Sequence, residues 1–506
     1  MHDVVIVGAG PVGLFLACEL GLAGCSVLVL EREPEPGSPW RADPLGMRGL
    51  SAGSVEAFHR RGMLHPLLAA SGLHDAPGPD PDADEPSPPG GVGHFAGLVL
   101  DPAKVDLAAL PYRLPGPAAD GVLTHLAAVE AVLSERASRL GVEIRRGVTV
   151  SALAQDDDGV VARAGEHTYP ARWLVGCDGG RSAVRGLAGF EFVGTEPLFT
   201  GYVMLAALAD PDVLRPGINL TPTGLYLRMP AEGHLGVMDF DGGAFDRSQQ
   251  PTRDHLQTVL RRVSGTAVTL NDVSLASSFT DRAMQTTTYR LGHVLLAGDA
   301  AHIHSPVGRQ GLNLGIGDAM NLGWKLAATV LGHAPDGLLD TYTRERHPVG
   351  ASVLAWTRAQ AVVMRPDPHG QAIQAVVRDL LGTRDGTTHV FEKVSGSSIR
   401  YDLGSDQPLT GRSAPDLRLD DGTRLGELLR DGRGVTLDFS SGHRLREAAK
   451  DRRTHLRYVA GAARNDLGLG AVLIRPDGVV AWAAGHDVDP KGFEQAADQW
   501  FGTPRT

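Results

Sequence analysis

The hydrophobic positions near the start of the chain follow two different periods. Residues 3–7 (DVVIV) and 26–30 (SVLVL) are dominated by aliphatic side chains, which is the pattern of strands buried on both faces of a parallel sheet. Between them, apolar residues recur at helical spacing from Leu14 to Leu22, and Gly24 follows as a helix stop signal. The pattern therefore predicts a strand, a helix and a second strand, the repeating unit of an α/β fold.

The turn between the first strand and the helix carries the glycine spacing of a dinucleotide site. Residues 8–13 read GAGPVG, a G-x-G-x-x-G pattern. In that pattern the first glycine allows a tight turn, the second lets a pyrophosphate approach the backbone, and the third lets the helix pack on the strand. Glu31 ends the second strand, where an acidic side chain accepts hydrogen bonds from ribose hydroxyls. The motif does not separate NAD from FAD, and a purely geometric role for the glycines is the alternative.

Two later apolar runs also end in an acidic residue next to glycine. Residues 173–179 read WLVGCDG and residues 294–299 read VLLAGD, and they end with Asp178–Gly179 and with Asp299. A glycine-containing turn follows Asp299, and apolar residues at helical spacing then predict a helix over 314–331. A helix N-cap is the alternative for Asp299. We interpret His302 and His304 as packing residues rather than proton carriers.

The three motifs, in this order and at these separations, resemble the FAD-dependent aromatic hydroxylases, the class A flavoprotein monooxygenases of the para-hydroxybenzoate hydroxylase type. The resemblance covers residues 1–365. It implies that Asp299 holds the ribityl chain of FAD, that Asp178 supports the dinucleotide, and that the turn after Asp299 lies against the isoalloxazine ring. The residues that it assigns to FAD are Gly8, Gly10, Gly13, Glu31, Arg32, Arg48, Asp178, Gly179, Asp299, Pro306, Gly308, Gly311, Leu312 and Asn313.

The chain departs from the family pattern at two places. The turn reads GRQG over 308–311 where the family has Gly-Gly-Gln-Gly, so Arg309 stands at a glycine position. Residues 48–56 resemble a stretch with two arginines, but only Arg48 is present and Gly53 stands at the second position. Three roles stay open for Arg309, namely charge stabilisation, contact with NADPH and exposure to solvent.

The resemblance implies that NAD(P)H reduces FAD, which then reacts with O2 to form a C4a-hydroperoxide that attacks an electron-rich aromatic carbon. Because the chain contains one G-x-G-x-x-G, we expect NADPH or NADH as a transient reductant without a domain of its own. The expected substrate is a polycyclic, polyketide-type aromatic compound, and no catalytic side chain is assigned. Baeyer–Villiger oxidation, inactivation of an antibiotic and a non-catalytic FAD-binding partner stay open. A flavin halogenase is disfavoured because its W-x-W-x-I-P stretch is absent.

Strand-like runs between residues 189 and 278, without further βα signals, predict an inserted antiparallel sheet. We expect an FAD-binding domain of residues 1–188 and 276–370, with a substrate domain at 189–275 to which loop 75–100 contributes. Asp75 to Gly93, rich in Pro, Asp and Gly, is interpreted as a surface loop or a mobile lid. The side chains predicted to share one face of the sheet and to line a pocket are Tyr226, Arg228, Met238 and Phe240.

Residues 400–506 resemble the thioredoxin-like tail of the longer hydroxylases. No cysteine follows Cys177, so redox chemistry by a C-x-x-C pair is excluded there. We expect a structural or oligomerisation role for this segment, with a variable connector before it.

Composition narrows the picture further. The chain of 506 residues carries a net charge of -11, which argues against a nucleic-acid partner. Three cysteines without metal-ligand spacing favour a reducing cytoplasm over a disulfide or zinc scaffold. The N-terminus enters a strand directly, unlike a signal peptide, and no apolar run is long enough to span a membrane.

Overall fold

A computed structural model of the chain describes residues 1–73, 89–90, 93–229, 231, 233–465 and 467–503. Most of the stretch from Asp75 to Gly93, interpreted above as a loop or lid, lies outside the described residues. In chain order the helices are α1 (Pro11–Leu22), α2 (Ala52–Arg60), α3 (Leu64–Ala70), α4 (Leu126–Arg139), α5 (Ala183–Leu187), α6 (Arg253–Ser264), α7 (Gly311–Val330), α8 (Thr341–Val363), α9 (Pro368–Leu381), α10 (Arg384–Ser395), α11 (Leu425–Leu428) and α12 (Pro490–Phe501).

The strands form several sheets of different character. In chain order they are β1 (His2–Val7), β2 (Val27–Glu31), β3 (Met47–Leu50), β4 (His94–Phe95), β5 (Leu98–Val99), β6 (Val122–His125), β7 (Glu143–Arg146), β8 (Ala152–Gln155), β9 (Val160–Ala164), β10 (His167–Gly176), β11 (Phe192–Thr195), β12 (Thr200–Leu208), β13 (Gly217–Thr221), β14 (Gly224–Arg228), β15 (His234–Asp239), β16 (Leu270–Thr280), β17 (Ala283–Thr286), β18 (Arg290–Leu291), β19 (Val294–Leu296), β20 (His302–Ile303), β21 (Gly434–Asp438), β22 (Leu456–Ala460), β23 (Ala471–Ile474) and β24 (Val480–Ala484).

The first sheet has the order β18-β19-β10-β1-β2-β7. Strands β19, β10, β1, β2 and β7 run parallel. The predicted strand–helix–strand unit is therefore present, with β1 at the centre of the sheet. Because β19, β10 and β1 are neighbours, the three acidic and glycine motifs follow the carboxyl ends of adjacent strands and meet at one edge.

Helices α1 and α7 cover this sheet and pack closely on each other. A Cβ added at Gly315 would lie 2.4 Å from the side chain of Val12, and one at Gly323 would lie 2.4 Å from that of Glu19. Only glycine permits this approach at either position. The close contact fixes the N-terminus of α7 beside the glycine turn that precedes α1.

An antiparallel sheet of order β13-β14-β15-β12-β16 forms the inserted layer. Its presence confirms the predicted fold class. The sequence pattern predicted no helix in this region, but the structure contains α6. This helix packs on the outer face of the sheet through Leu256, Val259 and Leu260. The connector before the C-terminal segment likewise contains two helices, α9 and α10, that the sequence pattern did not predict.

The C-terminal sheet has the order β22-β21-β23-β24, with β21 parallel to β22 and antiparallel to β23. One fully buried arginine of this segment, Arg475, donates two hydrogen bonds of 2.8 Å to Glu345 on α8 and also pairs with Asp477. Lys325 on α7 donates to the same carboxylate at 2.8 Å. Burial alone would raise the pKa of the Glu345 carboxyl, but Arg475 and Lys325 hold it below its ordinary value.

Within the described part of the chain, no helix is both long enough and apolar enough to cross a membrane.

We expect Arg475→Met to destabilise the protein by about 3–5 kcal/mol, because two carboxylates lose a buried partner. The measurement is urea unfolding followed by tryptophan fluorescence, since Trp324 and Trp500 both lie near the Arg475 guanidinium. Arg444→Met is the matched control, because its partner Asp487 is fully exposed and surface pairs contribute at most about 1 kcal/mol. Equal losses in the two variants would contradict the assignment.

Candidate functional site: a dinucleotide cradle under an apolar sheet

The glycine turn before α1 contains two glycines that the fold requires and one that it does not. Gly8 has φ +108°, and a Cβ there would lie 2.4 Å from the carbonyl oxygen of Cys177. A Cβ on Gly13 would lie 2.0 Å from the Gly8 carbonyl oxygen. Gly10, in contrast, has ordinary extended angles and no atom within 4 Å of an added Cβ. Open space at Gly10 fits a ligand that approaches the backbone there, as a pyrophosphate would.

Two acidic residues border this turn and are held by backbone N–H groups. The Glu31 carboxylate accepts from Ala9 at 2.6 Å and from Glu33 at 2.9 Å. Asp178 accepts from Ala183 and Val184 at the start of α5. Each carboxylate is thus fixed at the edge of the cradle. Gly179 follows Asp178 with open space around it.

Arg32 does not join the other residues assigned to FAD. Its side chain is 66% exposed, and its guanidinium lies 3.3 Å from Glu33. The structure gives no contact between Arg32 and the cradle, so this member of the set is not brought to the site.

Asp299 projects from a single turn of 3-10 helix, Gly298–Ala300, and is exposed to the cleft. Across the described ranges, no group hydrogen-bonds its carboxylate. Neither this turn nor α7 has a side-chain cap, so the N-cap alternative for Asp299 is wrong. A carboxylate free to accept hydrogen bonds fits the neutral ribityl hydroxyls of FAD.

A buried carboxylate that sequence reasoning missed holds the Asp299 turn in place. Asp318 on α7 accepts from the Gly298 N–H at 3.0 Å, from His302 at 2.7 Å and from Arg346 at 2.7 Å. Burial opposes ionisation of Asp318, but Arg346 and His302 hold the pKa of its carboxyl below the ordinary value. The sequence signal that could have identified Asp318 is an acidic residue within a largely apolar helix.

The turn after Asp299 is anchored to β3 and α2 by one amide. Asn313 donates to the carbonyl oxygens of Gly49 and Arg309 at 3.0 and 2.9 Å, and it accepts from the Ser51 N–H at 2.8 Å. Leu312 packs beside it against the core of the first sheet. Pro306 is exposed, while Gly308 has φ +85°.

Arg48 stands near this turn and donates to the carbonyl oxygens of Leu45 and Met47. Burial lowers the pKa of the Arg48 guanidinium, and the neighbouring charge of Arg309 lowers it further, whereas Asp299 raises it. Arg48, Arg309 and Asp299 therefore lie close enough to share one electrostatic environment. Position 53, where the family has an arginine, is open, since a Cβ added at Gly53 would meet only Ser51 at 4.0 Å.

The two histidines after Asp299 have different surroundings. His302 is fully buried and bound to Asp318, which agrees with a packing role. His304 Nδ1 donates to the carbonyl oxygen of Ser305 at 2.8 Å, while its buried Nε2 has no partner in the described structure. That Nε2 atom would lie 3.5 Å from a Cβ on Gly311. Burial lowers the pKa of the His304 imidazole.

The four side chains expected to line a pocket do not share a face. Tyr226 pairs with Val237 across the sheet, and both pack with α6 on the outer face. The Tyr226 hydroxyl accepts from the Arg215 N–H, and Arg228 donates to the Leu214 carbonyl. Alternation within each strand was correct, but the register between the strands places Tyr226 and Arg228 away from the inner face.

Met238 and Phe240 lie on the inner face, which is apolar and continues to the turn. They pack with Phe279 against the cluster that includes Val307 of that turn. Phe199 stands near both Phe240 and Phe279, with ring centroids 5.3 and 6.3 Å away. The inner face is thus an aromatic surface directly over the turn that follows Asp299.

A separate cavity of about 890 Å³ lies between α7, α8 and the connector, and no strand of the inserted sheet lines it. It meets the turn only at Gln310 and Asn313. Its distance from Met238 and Phe240 makes it a poor candidate for the space beneath the inner face.

A cluster of arginines lies where the first sheet meets the inserted sheet. Burial lowers the pKa of the Arg247 guanidinium, and the charges of Arg181 and Arg282 lower it further. Arg185 is close to Arg282 as well and stacks on Phe192 at 3.9 Å. Arg282 has one acidic partner, Glu196 at 3.1 Å. The excess of positive charge favours an anionic ligand at this surface.

The cradle, the free carboxylate and the apolar inner face of the inserted sheet fit a protein that binds a flavin dinucleotide. Comparison with known families agrees. A family described as FAD binding domain matches residues 1–357, and one described as aromatic-ring hydroxylase, C-terminal, matches residues 407–504. The chain belongs to this family of FAD-dependent aromatic-ring hydroxylases and is an FAD-dependent monooxygenase.

Individual relatives span the whole chain. A monooxygenase of Claviceps purpurea (strain 20.1) is 46% identical over 99% of this chain and 98% of its own length. The rifampicin monooxygenase of Streptomyces venezuelae is 41% identical, with 99% of both chains covered. The solved anhydrotetracycline hydroxylase OxyS from Streptomyces rimosus has a TM-score of 0.86 at 36% identity and covers 100% of both chains. The dialkyldecalin synthase of Streptomyces rugosporus is 36% identical over 99% of both chains.

We expect Gly10→Ala to fold normally and to bind FAD at least about tenfold more weakly, a loss of 1.4 kcal/mol. The added methyl group meets no protein atom within 4 Å, but it would occupy the space assigned to the pyrophosphate. Titration of apoprotein with FAD measures the dissociation constant, and thermal unfolding of the apoprotein checks the fold. Gly186→Ala, also without neighbours within 4 Å, is the control. Unchanged FAD affinity in Gly10→Ala would place the pyrophosphate elsewhere.

Asp299→Ala should lower FAD affinity by about tenfold or more, because hydrogen bonds to a charged acceptor contribute about 1.5–3 kcal/mol. Unfolding of the apoprotein should be unaffected, since the carboxylate has no partner among the residues that the structure describes. Flavin content after purification and FAD titration provide the measurements. Asp272→Ala, an exposed carboxylate on β16, serves as the control. Full flavin retention by Asp299→Ala would make the ribityl assignment wrong.

Proposed function

We propose that this protein uses NAD(P)H and O2 to hydroxylate a polycyclic, polyketide-type aromatic substrate. The observation that carries the proposal is the inner face of the inserted sheet. Met238, Phe240 and Phe279 are partly exposed there and continue to Val307 in the turn assigned to the flavin. An apolar, aromatic surface recognises a large aromatic compound by burial and ring contacts rather than by charge.

The chain's own residues would bind and orient the reactants. The Gly10 turn and α1 hold the phosphates, Asp299 holds the ribityl chain, and the inner face excludes water from the reacting carbon. Bound FAD supplies reduction by NAD(P)H and activation of O2. The side chains of Met238, Phe240 and Phe279 carry no ionisable group, and proton transfer is assigned to no residue.

The support for NADPH or NADH as the reductant is a positively charged surface rather than a second dinucleotide-binding fold. Arg181, Arg247 and Arg282 form a positive surface near the Asp178 motif, which suits the phosphates of a transiently bound nicotinamide dinucleotide.

The cysteines bear on the cellular compartment. Burial raises the pKa of the Cys25 thiol to about 11 and that of the Cys18 thiol to about 12. Inert, unpaired cysteines support the proposal that the protein works in a reducing cytoplasm.

The relatives named above suggest the compounds to test. Rifampicin and anhydrotetracycline are named in the activities of two of them, so both belong in the panel beside simpler polycyclic phenols and quinones. A second candidate function comes from the dialkyldecalin synthase, a relative named for a ring-forming reaction. Hydroxylation, Baeyer–Villiger insertion and cyclisation leave different product masses or structures.

The test is NADPH and NADH consumption in air by the FAD-loaded protein, with and without each compound, together with product mass. We expect one compound to stimulate consumption and to gain one oxygen atom. Catalase and a peroxide assay control for wasteful oxidase activity. A gain of oxygen with a new ester would instead indicate Baeyer–Villiger chemistry. A product of unchanged mass, or no stimulation by any polycyclic compound, would contradict the proposal.

A further inference from the structure

Arg309 adopts a backbone conformation that its side chain disfavours. Its φ is +57°, next to Gly308 at +85°, in the left-handed region that glycine occupies without strain. The only other described non-glycine residues with positive φ are Ala96 and His443. Because glycine stands here in the family that the chain resembles, the arginine is not needed to form the turn. Strain retained at such a position points to a role for the side chain.

The electrostatic surroundings of Arg309 are also unfavourable for a cation. Arg309 immediately precedes the N-terminus of α7, where free N–H groups favour negative charge. Arg48 lies near enough that the two guanidinium charges disfavour each other. No carboxylate among the described residues pairs with Arg309. Two cations and a helix N-terminus therefore converge near a single carboxylate, that of Asp299.

The position of the Arg309 side chain limits which anion it could bind. The Arg309 Cδ would lie 3.5 Å from a Cβ on Gly49, so its stem runs along β3 beside Arg48. After burial, the charge of Arg309 also lowers the pKa of His94 on β4 and of His234 on β15 of the inserted sheet. Arg309 is exposed in the structure, although partial desolvation of its guanidinium lowers the pKa of that group. Arg309 stands between the cradle and the inserted sheet.

A second, independent feature at this place also lacks a partner. His304 has a buried Nε2 with no hydrogen bond in the described structure, next to Gly311 at the first turn of α7. An unsatisfied buried polar atom calls for a ligand. The titratable groups that face the space are Arg48, Arg309, His94, His234, His304 and Asp299, with Asp43 close to His234.

We propose that Arg309, together with Arg48, neutralises the negative charge that the bound flavin ring acquires on reduction. The inference rests on the proposed function only in requiring bound FAD. The family resemblance implies that the flavin ring lies against this turn. When the ring is reduced, its negative charge is spread over N1 and the C2 carbonyl. Arg309 adds a side-chain cation to the stabilisation that the N-terminus of α7 already offers. The two guanidinium groups share one anion, which removes their mutual repulsion.

Sulfite provides a test that needs neither NADPH nor a substrate. It adds to the oxidised ring and leaves the ring negatively charged, so its dissociation constant reports how well the protein stabilises that charge. Arg309→Gln should raise the sulfite dissociation constant about tenfold, as expected for loss of a hydrogen bond between charged groups. The midpoint potential of the flavin should fall by about 30 mV, the equivalent of tenfold for two electrons. Arg309→Lys, which keeps the charge, should remain within about threefold of wild type.

Two further variants separate charge from backbone strain and from total charge. Arg309→Gly relieves the strain and removes the cation, so it should behave as Arg309→Gln does. Arg464→Gln removes an exposed charge from the C-terminal segment and should change neither quantity. If Arg309→Gln fails to retain FAD, retention of FAD and of sulfite affinity by Arg309→Lys supports the proposal.

The proposal is overturned if Arg309→Gln binds sulfite as wild type does, whatever its turnover. It is overturned as well if Arg309→Lys and Arg309→Gln lose sulfite affinity equally, because the charge would then be irrelevant. A protein that hydroxylates no compound in the panel still gives a sulfite constant. Failure of the proposed function is therefore distinguishable from failure of this inference.

Discussion

Two adjacent residues of α8 carry buried charges that connect the two ends of the molecule. Glu345 binds Arg475 of the C-terminal sheet and Lys325 of α7, whereas Arg346 binds Asp318 beside the cradle and Tyr401 of the connector. An unpaired charge in the interior is destabilising by several kcal/mol. Loss of either member of one of these ion pairs would leave the other charge buried and unpaired. The packing of α7 and α8 therefore depends on the C-terminal segment. The C-terminal segment, which contains no cysteine, therefore contributes to the structure through the buried ion pair of Arg475 with Glu345.

The same network determines which parts of the site are rigid. Asp318 binds the Gly298 N–H, so the turn that carries Asp299 is fixed to α7 from below, and Arg346 also donates to the Leu314 carbonyl near the start of that helix. The turn through Pro306 and Arg309 has fewer anchors, chiefly the amide of Asn313. The cradle and the Asp299 turn are thus held by more long-range hydrogen bonds than the turn through Pro306 and Arg309. Such a division suits a site that holds its cofactor firmly and admits a reductant and a substrate in turn.

The sequence predicted those features that depend on local pattern. Aliphatic runs and glycine spacing predicted β1, α1 and β2 because a buried parallel strand and a tight turn each leave a local signature, and apolar periodicity predicted α7. Long-range partners leave no such signature. The pairing of Tyr226 with Val237 is set by strand register, and Asp318 is important only because Gly298 and Arg346 reach it from distant segments. Helix α6 was missed although its apolar residues recur at helical spacing, at Leu256, Val259, Leu260 and Val263. The register of Tyr226 and the partners of Asp318 could be identified only from contacts in the structure.

The shape of the inner face of the inserted sheet depends on a single glycine. The ring of Phe279 covers Gly201 so closely that a Cβ there would lie 2.2 Å from it, and Gly201 stands opposite Met238 in the sheet. A single glycine thus permits one aromatic ring to lie over the neighbouring strand. If the substrate binds at this face as proposed, a substitution there changes the fit of the substrate while the cradle stays the same. Relatives of similar identity can therefore share a cofactor site and still be named for different reactions.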